Sequence, residues 1–217
     1  MRIRKYLHSC LLIEKKDNRL LIDPGIFSFI EGTVDPAVFE YISVIAITHQ
    51  HDDHMDLEMV RSIADKTQCS VITNNETAMI LQNQGIRAII AEEKEFGIGG
   101  FTIRGIPALH EQVLSQTPEN TAYIINDTIL HPGDSLDEQL FRFKGIPVLA
   151  LPVMAPWATV VQIVEFAERM APKIIIPIHD GYAKDFFLER QYRNFNAYFA
   201  GRNIQFRPLK TEEVLEV

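Results

Sequence analysis

Short apolar runs separated by turn residues open the chain and predict β-strands. Asp17-Asn18 predicts a turn in this region, and Asp23-Pro24-Gly25 breaks an apolar run. The predicted strands lie at residues 3–7, 10–14, 20–22 and 43–48. The first third of the protein is therefore predicted to form hairpins, followed by one fully apolar core strand.

Beyond residue 56, helical and strand patterns alternate along the chain. Apolar residues at helical spacing predict helices at 56–66, 76–84, 159–170 and 183–200, with Ser135 capping a short helix through Phe143. Further strands are predicted at 70–73, 88–91, 101–106, 122–126, 128–130, 147–151, 173–178 and 204–206. Hairpins followed by alternating strands and helices predict an α/β (α+β) fold, with sheets packed together and helices outside.

Composition limits the class of protein. The 217 residues suit a single domain over 1–217, and 47% apolar residues can build a sizeable core. A net charge of −8 disfavours a general nucleic-acid binder. Because the sequence has neither a membrane-length apolar run nor a secretion signal, we expect a cytoplasmic protein without a membrane partner. Cys10 and Cys69 are predicted to be reduced and buried, with one disulfide as the alternative.

The most concentrated set of metal-binding residue types is His49-Gln50-His51-Asp52-Asp53-His54, directly after the predicted strand at 43–48. Neutral imidazole suits zinc, iron or manganese, and a carboxylate adds charge and a proton acceptor. Three histidines spaced as H-x-H-x-D-H are hard to explain by packing alone. We therefore predict a metal site on a loop at a sheet edge.

Three further candidates follow or border predicted strands: His110, Asp134 and His179. Each has an ordinary interpretation when taken alone. A histidine at a strand end is usually a hydrogen-bonded structural residue, and Asp134 after Pro132-Gly133 suits a turn or a helix cap. His131 is predicted to be structural.

The motif at residues 49–54, followed in order by His110, Asp134 and His179, resembles the metal-binding pattern of the metallo-β-lactamase superfamily. The resemblance covers nearly the whole chain, including residues 21–25, and implies a four-layer αβ/βα sandwich with metals at one edge of the two sheets. The segment around His8 resembles the lactonase-like branch of uncharacterised metal-dependent hydrolases. That branch usually has Gly-His where this chain has Leu7-His8.

The resemblance also implies two divalent metal ions, with zinc expected and manganese, iron or nickel as alternatives. The first metal would be held by His49, His51 and His110, the second by Asp53, His54 and His179, and Asp134 would bridge both. Such a pair would turn a bridging water into hydroxide. Asp53 is the expected catalytic residue, which would orient that hydroxide and carry a proton to the leaving group.

Three other residues are candidates for the substrate pocket or for contacts behind the ligands. His8 either lines the substrate pocket or lies outside it. Asp23 either accepts a proton from the far nitrogen of a ligand histidine or is a simple turn residue. Trp157, in the apolar segment 151–157, either borders the metals or packs against its own helix.

The expected function is that of a metal-dependent hydrolase acting on a small metabolite, such as a lactone or a phosphoester. The alternative is a nuclease or phosphodiesterase acting on RNA or cyclic nucleotides, which a short acidic chain disfavours. An iron redox protein and a silent binding module rank lower. Aromatic residues on the last predicted helix are expected to be mostly core, and any that are exposed would form a patch for a homo-oligomer.

Overall fold

Two mixed β-sheets form the centre of the protein, which the computed structural model describes over residues 1–91, 93, 95–211 and 213–217. The first sheet consists, in spatial order, of β14 (Val214–Glu216), β1 (Arg2–Lys5), β2 (Leu11–Lys15), β3 (Asn18–Ile22), β4 (Val44–Ala46), β5 (Ser70–Thr73) and β6 (Ala88–Ile90). The second consists of β13 (Gln205–Phe206), β12 (Ile174–Ile178), β11 (Val148–Pro152), β10 (Ile129–His131), β9 (Thr121–Ile125), β8 (Phe101–Pro107) and β7 (Glu95–Ile98).

Each sheet is antiparallel in one half and parallel in the other. Strands β14 to β3 and β7 to β10 pair antiparallel, whereas β3 to β6 and β10 to β13 pair parallel. In the parallel half of the first sheet, Ile22 pairs with Ala46, so that β3 and β4 end side by side. The segments that leave these strands therefore start as neighbours.

Helices cover the outer faces of both sheets. They are α1 (Leu57–Thr67), α2 (Asn75–Asn83), α3 (Val160–Met170) and α4 (Asp185–Ala200). Asp56, Asn74 and Thr159 cap the first three by accepting hydrogen bonds from backbone amides of the first turn. In the described part of the chain, no helix has both the length and the hydropathy of a membrane span.

Apolar side chains divide into three layers. Residues such as Ile22 and Ile125 pack between the two sheets, Val60 and Leu81 join the helices α1 and α2 to the first sheet, and further residues join α3 and α4 to the second sheet. Burying each such side chain stabilises the fold by roughly 1.5–3 kcal/mol relative to exposure. The order helix, sheet, sheet, helix confirms the predicted four-layer sandwich.

One local prediction was wrong, and two strands were not predicted. Ser135 does not cap the short helix. The 3-10 helix Glu138–Phe143 is capped by Asp137, whose side chain accepts from the Gln139 amide, and the Ser135 hydroxyl accepts instead from the Asp137 amide, two residues along the chain. Strands β7 and β14 were not predicted, because β7 alternates exposed and half-buried residues around Gly97 and β14 is only three residues long.

The cysteine and aromatic predictions hold in part. Cys10 and Cys69 are free thiols, as predicted, but only Cys10 is buried and Cys69 is half-buried. On α4, Phe195 and Phe199 belong to the core, whereas Phe186 is 73% exposed.

Gly105 on β8 lies close to the backbone just after β6, and this contact gives a stability prediction. A Cβ atom there would lie 1.7 Å from the carbonyl oxygen of Ala91, just after β6. Because the obstacle is backbone, Gly105→Ala is expected to lower the free energy of unfolding by about 1–3 kcal/mol or more, measured by urea denaturation. The control is Gly97→Ala on β7, where an added Cβ meets no described atom within 4 Å. Equal stability of the two variants would contradict the prediction.

Candidate active site

All the candidate residues lie on segments that follow strand ends at one edge of the sandwich. The strands and the residues that follow them are β1 with His8, β3 with Asp23, β4 with His49 to His54, β8 with His110, β10 with Asp134, β11 with Trp157 and β12 with His179. Residues that are distant in sequence therefore meet in space.

The segment 49–54 is held in shape by its own backbone and by the segment after β3. The amides of His54 and Met55 both donate to the carbonyl of His51, and the Ile26 amide donates to the carbonyl of Asp52. Gly25 is required there, because a Cβ at this position would lie 1.9 Å from the carbonyl oxygen of Asp53. This close backbone approach fixes where the motif side chains start.

His49, His51 and His110 form a first group, in which one ring nitrogen of each lies within 4.8 Å of the others. His49 Nε2 is 3.1 Å from His51 Nδ1. Burial lowers the pKa of His49 well below its usual value, and burial also lowers the pKa of His110. Both rings are therefore neutral at pH 7, which is the form that binds metals.

Asp53, His54 and His179 form a second group, together with His8, and their candidate ligand atoms also lie within 4.8 Å of one another. Asp53 Oδ2 is 3.6 Å from His179 Nε2 and 3.9 Å from His54 Nε2. Burial alone would raise the pKa of Asp53, but the hydrogen bond with His8 and the neighbouring His54 hold that pKa well below its usual range. Asp53 is therefore ionised.

Asp134 lies between the two groups. Its Oδ1 is 3.1 Å from His54 Nε2, and its Oδ2 is 3.1 Å from His179 Nε2 and 3.7 Å from His110 Nε2. Trp157 Nε1 donates a hydrogen bond to the same Oδ2 at 3.0 Å. Of the two interpretations of Trp157, the structure favours the one in which it borders the site.

The donor set fits divalent cations. Among the described residues, His54 Nε2 and Asp134 Oδ1, although 3.1 Å apart, form no well-aligned hydrogen bond, and neither does the buried His110 Nε2. An unsatisfied buried polar atom costs about 1–3 kcal/mol. Burial alone would lower the pKa values of His54 and His179, yet the carboxylate of Asp134 raises both. The site therefore attracts positive charge, and a bound cation would satisfy the unpartnered atoms.

Asp23 holds the far nitrogen of a candidate ligand. Its Oδ2 is 2.8 Å from His54 Nδ1, while Thr48 donates to Asp23 from its amide at 2.8 Å and from its hydroxyl at 2.7 Å. All three side chains are buried. Asp23 thus fixes the ring of His54, and its backbone φ of 46° also makes the turn. The contact with His54 and the turn are compatible with both sequence interpretations of Asp23, and its role behind a metal ligand stays a prediction.

His8 and His131 are both fully enclosed. His8 Nε2 lies 3.0 Å from Asp53 Oδ2, and burial lowers the pKa of His8 to about 4. The neighbouring Leu7 does not adopt a left-handed backbone, so the turn forms without the glycine that is usual there. His131 Nε2 contacts the carbonyl of Ser9 at 3.1 Å, a contact that suits the predicted structural role.

Sequence reasoning missed two features that contact the site. Tyr182, three residues after His179, donates from its hydroxyl to Asp53 Oδ2 at 2.9 Å and is 57% exposed. Behind His179, the buried Lys5 ammonium lies 2.9 Å from Asp180 Oδ2, to which Tyr192 also donates. The closeness of residues 180 and 182 to a candidate ligand was the only signal in the sequence.

The sequence of this chain is similar to a protein-family model and to proteins from other organisms. A family model described as a beta-lactamase superfamily domain matches residues 2–179. Protein Rv0786c of Mycobacterium tuberculosis is 32% identical over 188 residues, which cover 82% of this chain and 84% of that protein. The UPF0173 metal-dependent hydrolase MJ1163 of Methanocaldococcus jannaschii is 30% identical, over 80% of this chain and 82% of its own length.

A solved structure shows the same fold at lower sequence identity. Igni18, a metallo hydrolase from the archaeon Ignicoccus hospitalis, superposes with a TM-score of 0.78 at 18% identity, covering 100% of this chain and 98% of that one. The sandwich is therefore shared over its full length.

The contact between Asp23 and His54 gives a prediction about metal affinity. Asp23→Asn keeps the turn, because asparagine tolerates a positive φ, but it removes the charge that faces His54. We expect zinc affinity, measured by competition with a chelating dye, to fall by about 10–100-fold. Asp52→Asn, the same change at an exposed position of the same segment, is the control and is expected to stay near wild type. Equal affinities in both variants would count against the assigned role of Asp23.

Proposed function

Because this chain belongs to the metallo-β-lactamase superfamily, as a metal-dependent hydrolase, we propose that it hydrolyses a small metabolite at a site for two divalent cations. The observation that carries the proposal is the position of Asp134, whose two oxygens each lie 3.1 Å from a histidine nitrogen of the second group, while Oδ2 also faces His110 of the first. One domain, residues 1–217, would carry the whole activity.

The proposed ligands divide as the two groups do. One cation would be held by His49, His51 and His110, the other by Asp53, His54 and His179, with Asp134 shared between them. When bound, such cations polarise a carbonyl or phosphoryl oxygen of the substrate and lower the pKa of water. Zinc suits this set of imidazoles and carboxylates, as do manganese, iron and nickel.

The chain's own residues would orient the reactants. Asp53 is ionised, so it can accept a hydrogen bond from the attacking water and is the proposed catalytic residue. Trp157 restrains Asp134 through the indole N–H. Tyr182 contacts Asp53 through its hydroxyl and the rings of His8, Phe27 and His179 through its own ring, and its exposed part is available to a substrate.

A cavity beside His110 supports a small substrate. Its volume is about 680 Å³, within the usual range for small-molecule sites. Its lining includes Leu109, Asn120 and two carboxylates, Glu93 and Glu119. Because these carboxylates repel polyanions, the cavity disfavours RNA and leaves both a lactone and a small phosphoester as candidate substrates.

Metal analysis tests this proposal directly. Protein purified without added metal is expected to contain transition metal, and Asp134→Ala is expected to lower both zinc occupancies, whereas His51→Ala lowers one. Because Trp157 is the only tryptophan and donates to Asp134, its fluorescence should report the titration with zinc. Hydrolysis should fall by about 100-fold or more, since even residues behind the ligands are worth 10–100-fold.

The matched control is Asp65→Ala, which removes an exposed carboxylate on α1 and is expected to leave metal content unchanged. Wild type that contains no transition metal and gains no rate on addition of zinc or manganese would overturn the proposal. A panel of lactones, phosphodiesters, thioesters and RNA identifies the substrate class. Rapid cleavage of RNA alone would replace the small-metabolite assignment with the nuclease alternative.

A further inference from the structure

His8 belongs to the second group of candidate ligands by distance alone, and its hydrogen bonds define what it can do there. It is 1% exposed and adopts a left-handed backbone with φ of 59°, which is uncommon for a residue other than glycine. Such strain persists only where surrounding contacts enforce it. Those contacts come from the segments that carry Asp53 and His179.

Both ring nitrogens of His8 are engaged. The Gly181 amide donates to Nδ1 at 3.0 Å, and Nε2 lies 3.0 Å from Asp53 Oδ2. A backbone amide can only donate, so Nδ1 must carry the lone pair and the proton of the neutral ring must be on Nε2. The Nε2–H then donates to the Asp53 carboxylate.

We propose that His8 is a positioning residue that fixes the Asp53 carboxylate through its Nε2–H, and that it is not a ligand of the second cation. A ligand histidine offers an unprotonated nitrogen to the metal. The unprotonated nitrogen of His8 is already engaged by Gly181. The second cation is thereby left with Asp53, His54, His179 and Asp134. This inference rests on the proposed function for the presence of that cation.

His8 also contacts the segment that carries His179, another proposed ligand of the second cation. The His179 amide donates to the carbonyl of His8 at 3.2 Å, and the two rings lie 4.2 Å apart between centroids. Gly181 permits this approach, since a Cβ there would lie 3.1 Å from His8 Nδ1 and 3.0 Å from a ring carbon of Phe27. Displacing His8 would therefore change the position of Asp53 relative to His179.

The first test is a measurement on the wild-type protein, and a variant serves only to assign the signals. Long-range ¹H–¹⁵N NMR of the wild-type histidine rings, assigned by comparison with His8→Gln, should show His8 with Nε2 protonated and Nδ1 unprotonated. That pattern is expected both without metal and with saturating zinc. A zinc-induced shift of either His8 nitrogen to the metal-bound range, or a proton on Nδ1, would overturn the proposal.

The second test uses substitution and zinc alone. His8→Ala should weaken binding of the second zinc equivalent by about 10–100-fold, while two equivalents still bind at saturation. His8→Gln should recover most of that affinity, because its amide can both donate to Asp53 and accept from Gly181. Tyr182→Phe, which removes the other donor to Asp53 Oδ2, gives the scale for losing one hydrogen bond.

The outcomes separate this inference from the proposed function. Loss of the second equivalent in both His8 variants would make His8 a ligand, and unchanged affinity in His8→Ala would remove its role. Circular dichroism checks that the variants are folded. If a variant is not folded, the NMR test on the wild-type protein still decides the proposal. A wild type that binds no zinc would overturn the proposed function, yet the His8 tautomer would still be measurable in that protein.

Discussion

The structure depends on two buried carboxylates, Asp53 and Asp134, surrounded by imidazoles at the edge where the strands end. Burial disfavours a charged carboxylate, and only nearby positive charge or hydrogen-bond donors offset that cost. Here the surrounding histidines, together with Trp157, provide those contacts. The fold brings them together because every relevant segment leaves its strand at the same edge of the sandwich. Packing of the two sheets therefore offsets the cost of burying these two charges, because it brings the histidines and Trp157 into contact with them.

Around the proposed ligands, a further set of contacts restrains their orientation. Asp23 and Thr48 hold His54 from the end of β3 and the start of the motif segment, and Trp157 holds Asp134 from the end of β11. His8 and Tyr182 both contact one oxygen of Asp53. Apart from Thr48, each restraint comes from a different segment than the residue it restrains. Geometry at the site is thus coupled to the register of both sheets.

The local part of this arrangement could be predicted from sequence, whereas the contacts between distant segments could not. The spacing of His49 to His54 is a local pattern, and the sandwich was expected because the order of the later candidates resembles a known superfamily. Tyr182 was missed because its closeness to His179 in the sequence does not reveal that its hydroxyl reaches Asp53, 129 positions away. The cap at Ser135 was wrong because the chain travels two residues further before Asp137 turns it into the helix.

The pairing of β1 with β14 has a consequence for synthesis on the ribosome. The first strand joins the last one, with Ile3 opposite Leu215, so the first sheet is not complete until nearly the whole chain has been made. During translation, His49, His51 and His54 emerge long before Asp134 and His179. The candidate ligands can therefore meet only after residue 179 has been made, and the first sheet closes later still, when β14 has followed.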